Sequence, residues 1–248
     1  MDLYIRENYL KKIRGFYHAD DLIKVITGVR RSGKSSLMQM IADELKSSGI
    51  PESQIIYFDL DKREYRNVVT ADKLEALIMS KCVTDEMKYL FIDEVQNVKD
   101  FETVLNGFRT EGNWSIFITG SNSYLLSGEL VTKLTGRYIE FEIFPLNFQE
   151  YEGMKAFFGK PINSNPMIEL TNYILEGGFP RAILFDDMAD KRKYVQGVVS
   201  EIFEKDIRKR LKIKNKENFE TVRKYIINNF GATTSLNNIC DAIRKNGM

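Results

Sequence analysis

The sequence predicts an α/β fold, a five-stranded and mostly parallel sheet flanked by helices, and three observations point to it. Five short apolar runs, at residues 22–27, 55–60, 89–92, 115–119 and 138–144, read as strands. Helical patterns of apolar residues lie between them. A glycine-rich loop follows the first run and a pair of carboxylates ends the third. Strands alternating with helices imply βαβ crossovers and a largely parallel sheet covered on both faces. In such sheets ligands bind beyond the carboxyl ends of the strands, which is where the loop and the acids fall.

The elements follow in order. After the first run, Leu37, Ile41 and Leu45 recur every four residues and define one apolar helix face, which Gly49 and Pro51 end. Thr70 starts a second helix marked by Leu74, Leu77 and Ile78, and Val104, Leu105 and Phe108 mark a third. Composition changes near Phe157. Gly159, Pro161, Asn163, Ser164, Asn165 and Pro166 make 158–166 a linker. Beyond it the pattern is helical at 167–175, 181–185, 191–211, 218–229 and 235–245. The expected division is a sheet-bearing core at 1–157, a helical part at 158–214, and a further region at 215–248.

Bulk properties exclude several classes. The 248 residues are 43% hydrophobic and 29% charged, values of an ordinary globular protein, and the formal net charge is +1. Composition alone therefore gives no reason to expect nucleic acid or an anionic membrane. Cys82 and Cys240 match no metal-ligand spacing and read as reduced thiols of a cytoplasmic protein. His18 is the only histidine, which removes histidine metal sites and a Ser-His-Asp triad. No apolar run approaches the ~20 residues that span a bilayer.

Gly28-Val-Arg-Arg-Ser-Gly33-Lys34-Ser35 fits the phosphate-loop pattern G-x-x-x-x-G-K-[ST], with a strand before it and a helix after it. The glycines let the loop close into a ring of backbone N–H groups. Lys34 adds positive charge, Ser35 offers a hydroxyl to Mg²⁺, and the helix N-terminus favours an anion. Ser32 and Ser36 belong to the same binding segment. Arg30 and Arg31 are either phosphate neighbours or structural partners. Tyr89-Leu-Phe-Ile-Asp93-Glu94 is an apolar strand delivering two carboxylates to the ligand edge. Asp93 suits contact with Mg²⁺ and Glu94 suits orienting or deprotonating a water; the plain alternative for such a pair is a helix cap. The run 115–119 ends in Gly120-Ser121-Asn122-Ser123, where a polar side chain would touch phosphate and water, or simply form a turn.

With those residues in place, the chain resembles the prokaryotic AAA+ ATPases, in a group that pairs the ATPase with a C-terminal domain of unknown role. The resemblance is carried by residues 23–35, Phe91-Ile-Asp-Glu-Val-Gln96, Ile118-Thr-Gly-Ser-Asn122, Leu134-Thr-Gly-Arg137, Pro145-Leu-Asn-Phe148 and Gly177-Gly-Phe-Pro180. It implies that the strand before Asn122 lies between the strands bearing the loop and the acids. It implies that Asn122 (or Ser121) acts as a sensor, and that Gly177, Gly178 and Pro180 form a turn set against the nucleotide from a helical lid at 158–214. Arg181 would then be a second sensor. Arg137 has two readings, a finger acting in cis or across a subunit boundary, or a surface ion pair with Glu140 or Glu142. The nucleotide expected is ATP, since no guanine signature is present.

Glu204 to Lys216 holds Arg208, Lys209, Arg210, Lys212, Lys214 and Lys216. This is either a surface for DNA or an acidic protein partner, or a solvated helix end. Phe219, Val222 and Ile226, then Leu236, Ile239 and Ile243, resemble the first two helices of a winged-helix unit, capped at Thr234 or Ser235 and stopping short at Met248. The expectation is a Mg²⁺-dependent ATPase switch, with a nucleotide-gated DNA- or protein-binding module as the alternative, and a homo-oligomer as one arrangement.

Overall fold

The computed structural model describes residues 3–120, 134–209 and 211–245. The chain divides into two compact units, Met1–Val198 and Val199–Met248. The break falls inside the helical stretch expected at 158–214.

The first unit is built on five parallel strands, β1 (Ile23–Gly28), β2 (Ile55–Asp59), β3 (Lys88–Asp93), β4 (Trp114–Thr119) and β5 (Tyr138–Ile143), in the order β2-β3-β4-β1-β5. The strand that precedes Asn122 thus lies between the strands bearing the loop and the acids, as the resemblance implies. Every residue of β1, β3 and β4 is buried, because helices cover both faces of the central strands. β2, at one edge, alternates between buried and half-buried.

The two-residue period of the strands sorts their side chains into two cores. On one face Ile23, Val25, Leu90, Ile92, Ile116 and Ile118 meet α3 (Ala71–Lys81) and α4 (Phe101–Glu111) through Leu74, Ile78, Leu105 and Phe108. On the other, Ile26, Phe91, Phe117 and Ile143 meet α1 (Glu7–Ile13) and α2 (Lys34–Ser47) through Leu10, Ile13, Leu37, Met38 and Ile41. Phe91 and Phe117 stack at 4.7 Å between ring centroids, worth about 1 kcal/mol beyond the area they bury.

α2 ends as its sequence predicts. Gly49, at φ 96°, donates to Lys46 C=O and Ile50 donates to Leu45 C=O, the paired bonds of a glycine-terminated helix. Thr70 sits at the start of α3, but its side chain makes no capping bond.

Among the described residues, two α-helices of the first unit were not expected. One is α1. The other is α5 (Phe148–Phe157), whose start is a reciprocal cap: Asn147 accepts from Glu150 N–H while Glu150 accepts from Asn147 N–H. α6 (Pro166–Glu176) and α7 (Met188–Glu201) follow. The helix expected at 181–185 is a short 3₁₀ segment, Pro180–Leu184. The helix expected over 191–211 is α-helical only to Glu201, then π-helical over Ile202–Lys209.

In the second unit, α8 (Lys216–Asn228) is capped by Asn215, which accepts from Asn218 N–H at 2.9 Å. α9 (Leu236–Lys245) is capped by Ser235, whose Oγ accepts from Asn238 N–H at 3.2 Å. Lys205 pairs with Glu201 at 2.6 Å and Arg208 with Glu204 at 2.5 Å. These bonds neutralise part of the basic stretch; Arg210 lies outside the described residues. Among the described residues no helix is long and apolar enough to cross a membrane.

Candidate active site

The loop after β1 has a backbone that its glycines make accessible. Gly28 stands at φ 148°, and a Cβ there would lie 2.3 Å from Ile143 O and 2.8 Å from Ser32 Oγ. Gly33, at φ 106°, is the N-cap of α2, so the helix opens directly onto the loop. Arg31 also stands at positive φ, 64°. Lys34 lies folded back across the loop, its Nζ donating to Gly28 O at 3.1 Å and Val29 O at 3.3 Å. Ser32 is buried and its Oγ has no hydrogen-bond partner among the described residues, an orphaned polar atom inside the ring.

The acidic pair stands at the end of the strand two places from β1. Asp93 is buried, and burial raises its pKa, opposed by hydrogen bonds from Ser35 and Thr119 and by the charge of Lys34. Thr119, the last residue of β4, links the two acids. Its hydroxyl donates to Asp93 Oδ1 and accepts from Glu94 N–H at 3.0 Å. Glu94 occupies the left-handed region at φ 56° and ψ 47°, an uncommon conformation for a residue with a side chain. Burial raises its pKa as well, opposed by Lys34 and by a hydrogen bond from Gln96 Nε2.

Beside the N-terminus of α2 lies a mainly apolar cavity of about 240 Å³. Tyr4 and Leu146 line it together with Ser36, Met40, Pro180 and Leu184. The turn before Pro180 is held tightly: Leu146 N–H donates to Gly178 O at 2.7 Å, and a Cβ on Gly178 would lie 2.6 Å from Leu146 O. A second cavity, about 360 Å³, has no loop residue in its lining and contains Lys155, Glu169, Glu176 and Lys191 in its wall. Those charges pair with one another, Lys155 with Glu169 and Lys191 with Glu176.

The structure therefore gathers Gly28, Arg30, Arg31, Ser32, Gly33, Lys34, Ser35 and Ser36 in one loop and helix start, with Asp93 and Glu94 at the same sheet edge. Pro180 and Arg181 join them through the apolar cavity. Asn122 and Ser121 lie outside the described residues. Arg137 is not at this edge. It immediately precedes β5, whose Tyr138 is level with Ile23, whereas the loop begins after Gly28 beside Ile143. At ~3.3 Å per residue the strand length puts Arg137 roughly 18 Å from the loop, too far to act on a nucleotide bound by its own chain. The ion pair with Glu140 or Glu142 is not its described contact either; its Nη1 donates to Asn106 Oδ1 at 3.5 Å.

Sequence reasoning missed Thr119, Gln96, Arg6 and Glu150. Thr119 carried a signal, a polar residue ending an apolar strand predicted to lie near the acids. Arg6 carried none, because its hydrogen-bond partners are 26 and more residues away.

Comparisons with known proteins agree with this architecture. Residues 20–152 match the family model described as AAA domain, and residues 167–247 match a domain of unknown function, DUF8612. The chain is 35% identical to an uncharacterized protein of Haemophilus influenzae, over 96% of this chain and 59% of that protein. It is 34% identical to the uncharacterized protein MJ1544 of Methanocaldococcus jannaschii, over 90% of this chain and 50% of that one. The chain thus spans little more than half the length of these relatives. Among solved structures, its fold is similar to that of the Aeropyrum pernix ORC1 protein in complex with DNA, with TM-score 0.52 and 13% identity over 98% of this chain and 78% of that one. With a sheet of AAA+ strand order and a family match over more than half its length, the chain belongs to the AAA domain family, a nucleotide-binding α/β fold.

Proposed function

We propose that this chain binds Mg²⁺-ATP at the carboxyl edge of its sheet and hydrolyses it as a conformational switch. The observation that carries the reading is the meeting of the phosphate loop with Asp93 and Glu94, joined by the Thr119 hydroxyl. The loop suits the group it would hold. Position 28 requires glycine, because a Cβ there would collide with Ile143 O and the Ser32 hydroxyl, and the loop contains an unpartnered buried hydroxyl.

In this reading the loop N–H groups and Lys34 hold the phosphate oxygens, and Lys34 gives up its contacts with Gly28 O and Val29 O to do so. Ser35 and Asp93 would hold Mg²⁺, which supplies charge neutralisation on the phosphates. Glu94 orients the attacking water and accepts its proton. The apolar cavity beside α2 receives the base, and its lining by Pro180 connects nucleotide occupancy to the helical lid taken at 158–214. Asn122 remains the proposed sensor. Arg137, too distant in cis, would act only on a neighbouring copy, which makes turnover in that case depend on a homo-oligomer.

A nucleotide-gated DNA- or protein-binding module is the second reading, supported by Lys212, Lys214 and Lys216 and by a winged-helix-like reading of 215–248. Lys205 and Arg208 already pair with acidic neighbours, which favours the switch reading.

Equilibrium titration with a fluorescent ATP analogue and Mg²⁺, displaced by unlabelled ATP or GTP, tests the binding step. Saturable binding displaced by ATP, and lost in Lys34→Ala, is expected. Equal binding in the parent and Lys34→Ala would reject the site.

A further inference from the structure

Arg6 lies outside every motif, yet it is almost fully buried, at 4% exposure, in the short segment before α1. Its guanidinium joins three parts of the first unit. Nε and Nη2 donate to the two oxygens of Glu150 at 3.0 and 2.7 Å. Nη1 donates to Ser32 O and to Phe144 O, both at 3.0 Å. The ring of Tyr9 lies 4.5 Å from the guanidinium carbon, and Tyr9 Oη accepts from Phe144 N–H at 3.2 Å. Phe144, just after β5, is therefore gripped at both its N–H and its C=O by the N-terminal segment.

Glu150 is 5% exposed, and its side chain also accepts from Asn147 N–H in the cap of α5. One buried, bidentate ion pair thus connects the phosphate loop to the first helix after the sheet. Burying a guanidinium and a carboxylate is costly unless nearly all their hydrogen bonds are made, and here they are.

From the bond to Ser32 O we infer that Arg6 is a positioning residue for the phosphate loop, setting the direction of the Gly33 N–H through the Ser32–Gly33 peptide. The peptide is planar and trans, so its C=O and N–H point in opposite directions. Holding Ser32 O toward Arg6 turns the Gly33 N–H away from Arg6. Gly33 has no Cβ and stands at φ 106°, so it brings no side chain of its own to restrain that peptide. Arg6 replaces the missing restraint, and Glu150 fixes Arg6 in turn. The loop is then organised before phosphate arrives, which reduces the ordering cost of binding. Movement of α5 would be felt at the loop through Glu150. Lysine has the charge but not the planar fork, so it cannot hold both Glu150 oxygens in parallel bonds as Arg6 does.

The inference rests on the nucleotide-binding reading, and the test separates the two. ADP and ATP affinities are measured by calorimetry for the parent, Arg6→Lys, Arg6→Ala and Glu150→Gln, at a temperature where circular dichroism shows each folded. Ile116→Val, a conservative core change on β4, serves as a destabilised control. Arg6→Lys is expected to weaken both nucleotides at least tenfold and Glu150→Gln severalfold, while the control binds as the parent does. If Arg6→Ala does not fold, the other two variants carry the test. Parent-like affinity in Arg6→Lys overturns the positioning role alone. Absence of nucleotide binding by the parent overturns both this role and the function on which it rests.

Discussion

Thr119 offers a perturbation whose cost follows from two bonds. Replacing it with valine keeps the volume and the β-branched shape, so no cavity forms at the end of β4. What disappears is the hydroxyl that donates to Asp93 and accepts from Glu94 N–H. A hydrogen bond to a charged group is worth about 1.5–3 kcal/mol, and a buried N–H left without an acceptor costs about 1–3 kcal/mol. Together the two span about 2.5–6 kcal/mol, and because Asp93 keeps its bond from Ser35 the expected loss falls in the lower half, roughly 2.5–4 kcal/mol. Trp114 is the only tryptophan, buried on the same strand, so its fluorescence in a urea titration reports this unit directly. Thr119→Ser keeps the hydroxyl and loses one methyl, and it should retain most of the stability at a cost of about 1 kcal/mol. If Thr119→Val lies within about 0.5 kcal/mol of the parent, or Thr119→Ser is as damaging, the hydroxyl bridge does not hold the acids.

Three further outcomes follow from the same geometry. Lys24, buried in β1 and donating to Ala19 O, Leu22 O and Ser115 Oγ, has its pKa lowered to about 7 by burial, so the unfolded chain binds more protons between about pH 7 and 10.5. Stability should therefore rise with pH across that window, by up to about 1.4 kcal/mol per pH unit, and Lys24→Met should flatten the rise in denaturant titrations. Glu169→Gln should cost about 3–5 kcal/mol by stranding the buried Lys155, whereas Lys155→Met combined with Glu169→Leu should recover much of it in a double-mutant cycle. Gly178→Ala forces a Cβ to 2.6 Å from Leu146 O and should lower the thermal midpoint by several degrees, about 1–3 kcal/mol, while displacing the turn that carries Pro180.

The sheet was legible because the three central strands are largely apolar, fully buried runs and the two edge strands are short β-rich runs. All five expected strands are present to within one or two residues at their ends. The phosphate loop and the acidic strand end were legible because their chemistry is local: a turn, a lysine and a carboxylate pair must sit at fixed offsets from a strand. α5 could have been found from its cap, Asn147 followed three residues later by Glu150, but its mixed composition hid it. The break at Glu201 and the short turn at 180–184 were not legible, since their sequences carry ordinary helical residues and packing decides the outcome. Arg137 was misjudged as a cis candidate for a related reason. Only the pairing of β5 with β1 reveals that the start of β5 lies at the opposite edge from the loop. Arg6 makes its hydrogen bonds to partners distant in sequence, and no spacing rule reaches it, whereas Thr119 could have been read from its place at the end of an apolar strand.

In the proposed reaction Glu94 activates water at a site where Lys34 holds the phosphates. Phosphate release under saturating Mg²⁺-ATP, compared between the parent and Glu94→Gln with ATP affinity measured on both, tests it most directly. Steady release by the parent and at least a hundredfold slower release by Glu94→Gln are expected, with ATP affinity within about threefold. Equal rates in the two chains would contradict the role of Glu94, and no release by a parent that binds ATP at every protein concentration would contradict hydrolysis itself.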